Sequence, residues 1–120
     1  MDALTPQEEQ LMLIIWQTGK GFVKEYREKY PTPQPPYTTV ATIIKKLEAK
    51  GYVGSKLYGN TYEYTPLIKE ETYKRNYLSN VVNNFFSNSY KDMVTFFANE
   101  EKLSKAELEE ILSMIRKRKA

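Results

Sequence analysis

At 120 residues the chain has room for one domain, or for one small domain with an appended element. It holds no cysteine and no histidine. Disulfides, thiolate nucleophiles, Cys/His zinc sites and histidine acid–base chemistry are therefore excluded together. A formal charge of +3 and a pI near 9.0 lean basic without demanding a polyanionic partner.

The first helix announces its start. Thr5 is a good N-cap, Pro6 suits the first helical position, and Glu8 stands three residues after the cap, completing a capping box. The apolar run Leu11 to Trp16 is too continuous for a helix wetted on one side, and predicts two covered sides. Gly19 and Gly21 end it. A second short helix is expected over Phe22 to Tyr30, with Phe22, Val23, Tyr26 and Tyr30 on one face. The segment from Pro31 to Pro36 then forbids regular structure, because proline lacks a donor and restricts its predecessor.

A third helix follows, with Pro36 as its first residue and Pro35 as a cap lacking a side-chain acceptor. Val40, Ile43, Ile44 and Leu47 form its buried stripe, while Tyr37, Thr38, Thr39, Ala41, Thr42 and Lys45 share the opposite side. Lys50 and Gly51 end the helix. Two β-prone runs, Tyr52 to Lys56 and Thr61 to Tyr64, flank a turn at Tyr58-Gly59-Asn60, whose Gly59-Asn60 pair tolerates positive φ. Pro66 closes the hairpin. A helix followed directly by a small hairpin is how a winged helix-turn-helix presents itself.

Beyond Pro66 the pattern is helical again: a long helix from about Lys69 to Phe86, a break at Asn88-Ser89, and a short apolar helix around Met93, Val94, Phe96 and Phe97. Ser104 caps the last helix with Glu107 as its box partner, and Leu103 with Leu108 forms a hydrophobic staple. The expected fold is mainly α with a small β-wing: a winged helix-turn-helix over residues 1–67, followed by a three-helix dimerisation region over 68–120. Burying one large apolar side chain contributes roughly 1.5–3 kcal/mol. Three helices cannot enclose so many such groups by themselves, and a unit of about 60 residues is marginal alone. Closure against a second copy is therefore expected, through Tyr77, Val81, Phe85 and Phe86, then Met93, Phe96 and Phe97, then Leu108, Ile111, Leu112 and Ile115; the alternative is that these helices fold back on the N-terminal domain.

The third helix carries the functional candidates. Thr38, Thr39 and Thr42 can reach base edges, Tyr37 can donate to phosphate, and Lys45 and Lys46 suit phosphates because an ammonium lacks the fork that reads guanine. Lys50 adds to this cationic stretch. Lys56, Tyr58 and Asn60 belong to the wing. No arginine lies in either element, which weakens direct base reading. The same features fit a winged module that docks proteins without specific DNA binding. Carboxylates such as Glu8-Glu9, Glu70-Glu71 and Glu109-Glu110 are typical of wet helix surfaces. No nucleophile–base set, glycine-rich phosphate loop, metal cluster or cofactor motif accompanies them, so an enzyme is not expected. With no leader-like or long apolar run, the expected location is the cytoplasm, without direct membrane insertion.

The stretches LTPQEEQLMLIIW from Leu4, TVATIIKKLEAKG from Thr39, Gly59 with YEYTP from Tyr62, and MVTFFANEEKLSKAELEEI from Met93 occur in the order and spacing of a known family. In them the chain resembles the penicillinase-repressor family of bacterial regulators, over nearly its whole length. The resemblance implies a homodimeric winged-helix repressor whose third helix faces the major groove of a dyad-symmetric operator, with Lys45 and Lys46 near phosphate. It also implies a membrane sensor protease as a partner and a cleavage region at Phe96-Phe97. Departures accompany it. Asn60 follows the turn glycine where family wings often carry arginine, and Phe96 stands where β-lactamase-type repressors have the asparagine of an Asn-Phe bond. Copper-responsive relatives use cysteines near the C-terminus, and this chain has none.

Overall fold

A computed structural model describes residues 2–119. Local sequence signals account for the helix starts. In α1 (Pro6–Thr18) Thr5 is the N-cap. Its N–H donates to Glu8 Oε1 at 2.8 Å, and the Glu8 N–H donates to Thr5 Oγ1 at 3.2 Å, so the capping box forms as expected. Leu11, Met12, Ile14 and Ile15 are buried, but Leu13 remains 43% exposed. One broad side of α1 is covered rather than two.

The chain leaves α1 through Gly19, in the left-handed region at φ 85°. Gly21 does not end the helix. With Phe22 it forms a short strand, β1 (Gly21–Phe22), paired to Tyr64 and Glu63 of the hairpin. A Cβ on Gly21 would lie 3.2 Å from Glu25 Oε1 and 3.4 Å from the Tyr26 ring, so a side chain here would press on the Glu25 carboxylate, and glycine fits without that adjustment. The second helix, α2 (Val23–Glu28), is consequently shorter than expected. Phe22 is committed to the sheet, and Tyr30, although buried, lies past the helix end. The proline segment leads into α3 (Tyr37–Ala49). Pro36 is its N-cap rather than its first residue: its carbonyl accepts from Thr39 and Val40 at 3.0 and 3.2 Å, the role of a cap.

The hairpin strands β2 (Val53–Tyr58) and β3 (Thr61–Pro66) run longer than the sequence runs. Their register pairs Val53 with Pro66, Ser55 with Tyr64, Leu57 with Tyr62 and Tyr58 with Thr61. Gly59 takes the positive φ of the two-residue turn, 60°, and Asn60 does not. The sheet order is β1-β3-β2. Its inner face and the three helices enclose a core that includes Met12, Tyr26, Ile44, Leu47 and Tyr52. Ile68 and Tyr73 join this unit: Trp16 Nε1 donates to the Ile68 carbonyl at 2.8 Å, and the Tyr73 hydroxyl to Glu9 Oε2 at 2.6 Å.

The chain divides into two compact units, one running to Tyr73 and the other from Lys74, so the division falls inside α4 (Glu70–Phe85). In the second unit, Ser87 and Asn88 adopt positive φ and break the helix where the Asn-Ser signal stands. Ser89 caps α5 (Tyr90–Asn99), its Oγ accepting from the Asp92 N–H at 3.0 Å. Ser104 and Glu107 form the capping box of α6 (Lys105–Lys119), with bonds of 2.9 and 3.0 Å. The architecture is mainly helical with a small wing sheet.

Candidate nucleic-acid interface

Thr38, Thr42 and Lys45 fall at i, i+4 and i+7 on α3, one line along its outer face, and all three are exposed. Lys46 is exposed beside them. Neither lysine makes a hydrogen bond or ion pair among the described residues, so both ammonium groups are free for an anion. The Thr42 hydroxyl donates to the Thr38 carbonyl at 2.9 Å. Its proton is therefore spent within the helix, leaving a lone pair that can accept from a base amino group and a methyl that can touch thymine.

The flanks differ. Tyr37, 52% exposed, opens the helix on the side toward the wing. Ala41, expected on the exposed side, is half-buried against the core because it sits between the outer line and the wing flank. Glu48, on that same flank, accepts from Ser55 Oγ at 2.5 Å and ties α3 to the base of β2. Thr39 is half-buried on the other flank, where it lines a cleft with Gln7 and Gln10 of α1.

Lys50 is removed from the cationic set. Its ammonium lies 2.6 Å from Glu8 Oε1 and donates to the Ala3 carbonyl at 2.9 Å. Glu8 is only 3% exposed. Burial pushes its carboxyl pKa upward, but hydrogen bonds from Lys50 and Thr5, with the lysine's charge, outweigh that and hold it below the ordinary value. The pair locks the start of α1 to the end of α3, a structural task. The cations left to face a polyanion are Lys45 and Lys46 on α3, with Lys56 on the wing.

On the wing, alternation separates two faces. Lys56 and Tyr58 share one: the lysine ammonium sits 5.2 Å from the Tyr58 ring centre, and Phe22 meets that ring edge-on at 6.5 Å. Asn60 is exposed at the tip. The other face carries Ser55 and the buried Tyr64, and it is the face turned to α3. Its outer part is the cross-strand pair Leu57 and Tyr62, 53% and 50% exposed. Sequence reasoning overlooked this pair. Counting by twos from the inward-facing Tyr64 would have placed it beside the recognition helix.

Residues 4–117 match the family model described as penicillinase repressor. The chain belongs to the penicillinase repressor family. It is 25% identical over 120 residues to the methicillin resistance regulatory protein MecI of Staphylococcus aureus strain N315, covering 96% of this chain and 94% of the relative. It is 24% identical over 120 residues to MecI of Mammaliicoccus sciuri, with the same coverage. The penicillinase repressor of Bacillus licheniformis is 25% identical over 117 residues, covering 97% of this chain and 91% of the relative. Penicillinase repressor family members are winged-helix transcriptional regulators, not enzymes.

In this family member, Phe96 and Phe97 lie within α5, 49% and 42% exposed. The Phe96 ring contacts Phe86 and Phe97 edge-on at 5.8 and 5.5 Å. Tyr77, Phe85, Ile111, Leu112 and Ile115 are also exposed, Phe85 by 77%. Val81, Phe86, Met93 and Leu108 are half-buried. Among the described residues no His/Cys/Asp/Glu group could hold a metal, and no helix is long and apolar enough to cross a membrane.

Proposed function

We propose that this chain is a homodimeric, operator-binding transcriptional repressor of the cytoplasm. The observation that carries the reading is the outer line of α3, where exposed threonines and unpaired lysines stand beside an exposed wing. In this reading α3 enters the major groove, with Thr38 and Thr42 against base edges and Tyr37, Lys45 and Lys46 against phosphates. Thr39 contributes from the edge of that face. Lys56, Tyr58 and Asn60 of the wing reach the adjoining backbone, and the Leu57–Tyr62 pair supplies apolar contact from the wing face turned to α3.

One such module offers few cations. Two of them, joined through α4–α6, gain from effective concentration on a dyad-symmetric operator. The exposed aromatic and aliphatic side chains of those helices are the natural material of the joint. Inactivation by a membrane sensor protease fits the same frame. A cut at Phe96-Phe97 divides the apolar face of α5, and because the bond lies inside a helix, that helix must open before a protease can engage it.

The exposed Leu57–Tyr62 pair also favours a second reading, a winged module that docks another protein. Sedimentation of the chain with and without a duplex separates the two. A dimer at micromolar concentration that places two chains on one duplex is expected. A monomer, or no duplex affinity above background at moderate salt, overturns the proposal.

A further inference from the structure

The charges of the wing cancel. Lys56 and Glu63 are the charged residues between Val53 and Pro66, and the strand register sets them directly opposite each other on one face. The other face, turned to α3, carries none: beyond Ser55 and the buried Tyr64 it presents Leu57 and Tyr62. Tyr37 stands on the flank of α3 that Glu48 also occupies, because the interval between them is close to three full helical turns. The bond from Ser55 to Glu48 holds that flank against β2. The Tyr64 hydroxyl is pushed above its ordinary value by burial first, then by Glu48, Tyr37 and Tyr62, which places both exposed tyrosines around the same junction of helix and wing. Tyr37, Leu57 and Tyr62 are each about half exposed. Neither exposed tyrosine donates a hydrogen bond among the described residues.

We propose that this strip grips one strand of the sugar–phosphate backbone of duplex DNA without using charge, the Tyr37 and Tyr62 hydroxyls donating to phosphate oxygens while Leu57 lies against deoxyribose. The proposal rests on the operator-binding reading and assigns Leu57 and Tyr62 a task within it. Through Tyr37 the strip is continuous with the outer line of α3, so a duplex seated on that helix carries its backbone past the wing face. A deoxyribose edge is hydrocarbon between polar phosphates, and an amphipathic phenol matches both parts. Three side chains fall far short of the roughly 20–30 residues that a stable protein interface uses on each side, but they suffice for one strand. A neutral donor displaces no counterion, so the grip adds affinity without adding salt dependence. It thereby supplements the few cations of α3 by a different physical route.

The test is a series of anisotropy titrations of the full chain on one duplex at several salt concentrations. Tyr62→Phe removes only the hydroxyl and should lower affinity by at least about fivefold, one modest hydrogen bond in each copy of a dimer. That loss should be equal at every salt concentration, leaving the slope of log K against log salt unchanged. Leu57→Lys, which places a cation at the same backbone, should instead steepen the slope by about 1.8 for the two copies. Both positions are half exposed, and melting temperatures check that the variants fold. Unchanged affinity in Tyr62→Phe, as expected if the strip docks a protein, overturns the proposal. So does a slope altered by Tyr62→Phe or left unmoved by Leu57→Lys. When the parent binds the duplex and the variants match it, the strip alone is refuted. A parent without duplex affinity refutes operator binding and the strip together.

Discussion

Replacing Lys45 by alanine removes an ammonium that has no partner in the protein and stands on the outer line of α3. A loss of stability is not expected, because nothing in the fold depends on that charge. The effect belongs to DNA. Each phosphate neutralised by a cation contributes about −0.9 to the slope of log K against log salt on duplex DNA. A dimer carries two copies of Lys45, so Lys45→Ala should flatten that slope by about 1.8. Doubling the salt raises log[salt] by about 0.3, so the variant should lose roughly 3.5-fold less affinity over that step than the parent. Removing Lys46 as well should double the slope change to about 3.6 and raise the salt-step difference to roughly twelvefold. Fluorescence anisotropy titrations on one operator and one unrelated duplex, each at two salt concentrations, measure this directly. The loss should be similar on both duplexes, because phosphates carry no sequence. An unchanged slope in the double variant would refute the phosphate role of these lysines.

Other outcomes follow from the same geometry. Phe85→Ser, at the most exposed large side chain, should weaken a dimer that buries it by about 3–6 kcal/mol, counting roughly 1.5–3 kcal/mol in each of two copies, with the sedimentation profile as the check. Glu8→Gln breaks the charge pair with Lys50 and should cost about 1–3 kcal/mol, kept modest because Lys50 is partly solvated. Since the folded carboxyl is held below its ordinary value, its stabilisation is full above the unfolded pKa and fades as pH falls through the folded one, so the variant should show a flatter acid limb in denaturant titrations. Tyr26 donates to the carbonyls of Gly19 and Tyr64, and burial, aided by the charges of Glu25 and Glu63, pushes its hydroxyl up to about 12. Its neutral form stabilises the fold below an unfolded value of 10.0, and that contribution should vanish as pH rises toward about 12. Tyr26→Phe should lower stability by about 1–3 kcal/mol in chemical denaturation.

Much of this fold was legible in the sequence where the deciding interactions are local. Thr5 with Glu8, and Ser104 with Glu107, lie three residues apart, so cap and partner can be read together and both boxes form. Helical spacing likewise separated Val40, Ile43, Ile44 and Leu47 from the outer line of α3. What escaped depends on distant residues. The strand at Gly21–Phe22 exists because Tyr64 and Glu63 lie across from it, and two residues display no period of their own. Lys50 reads as a free cation near a helix end until the fold brings Glu8, 42 positions away, within 2.6 Å. Pro36 misled by a single step, because proline suits both the cap and the first helical position and only the carbonyl's acceptors distinguish them. The cleft under the proline loop was invisible for a similar reason: its walls come from α1, the loop and α3.

The central claim is that two copies of α3 read DNA together, and selection of bound duplexes from a random pool tests it most directly. The full chain should enrich a palindromic consensus, because two half-sites are read by two-fold related modules. No enrichment over the starting pool, or a single unpaired half-site, would contradict it.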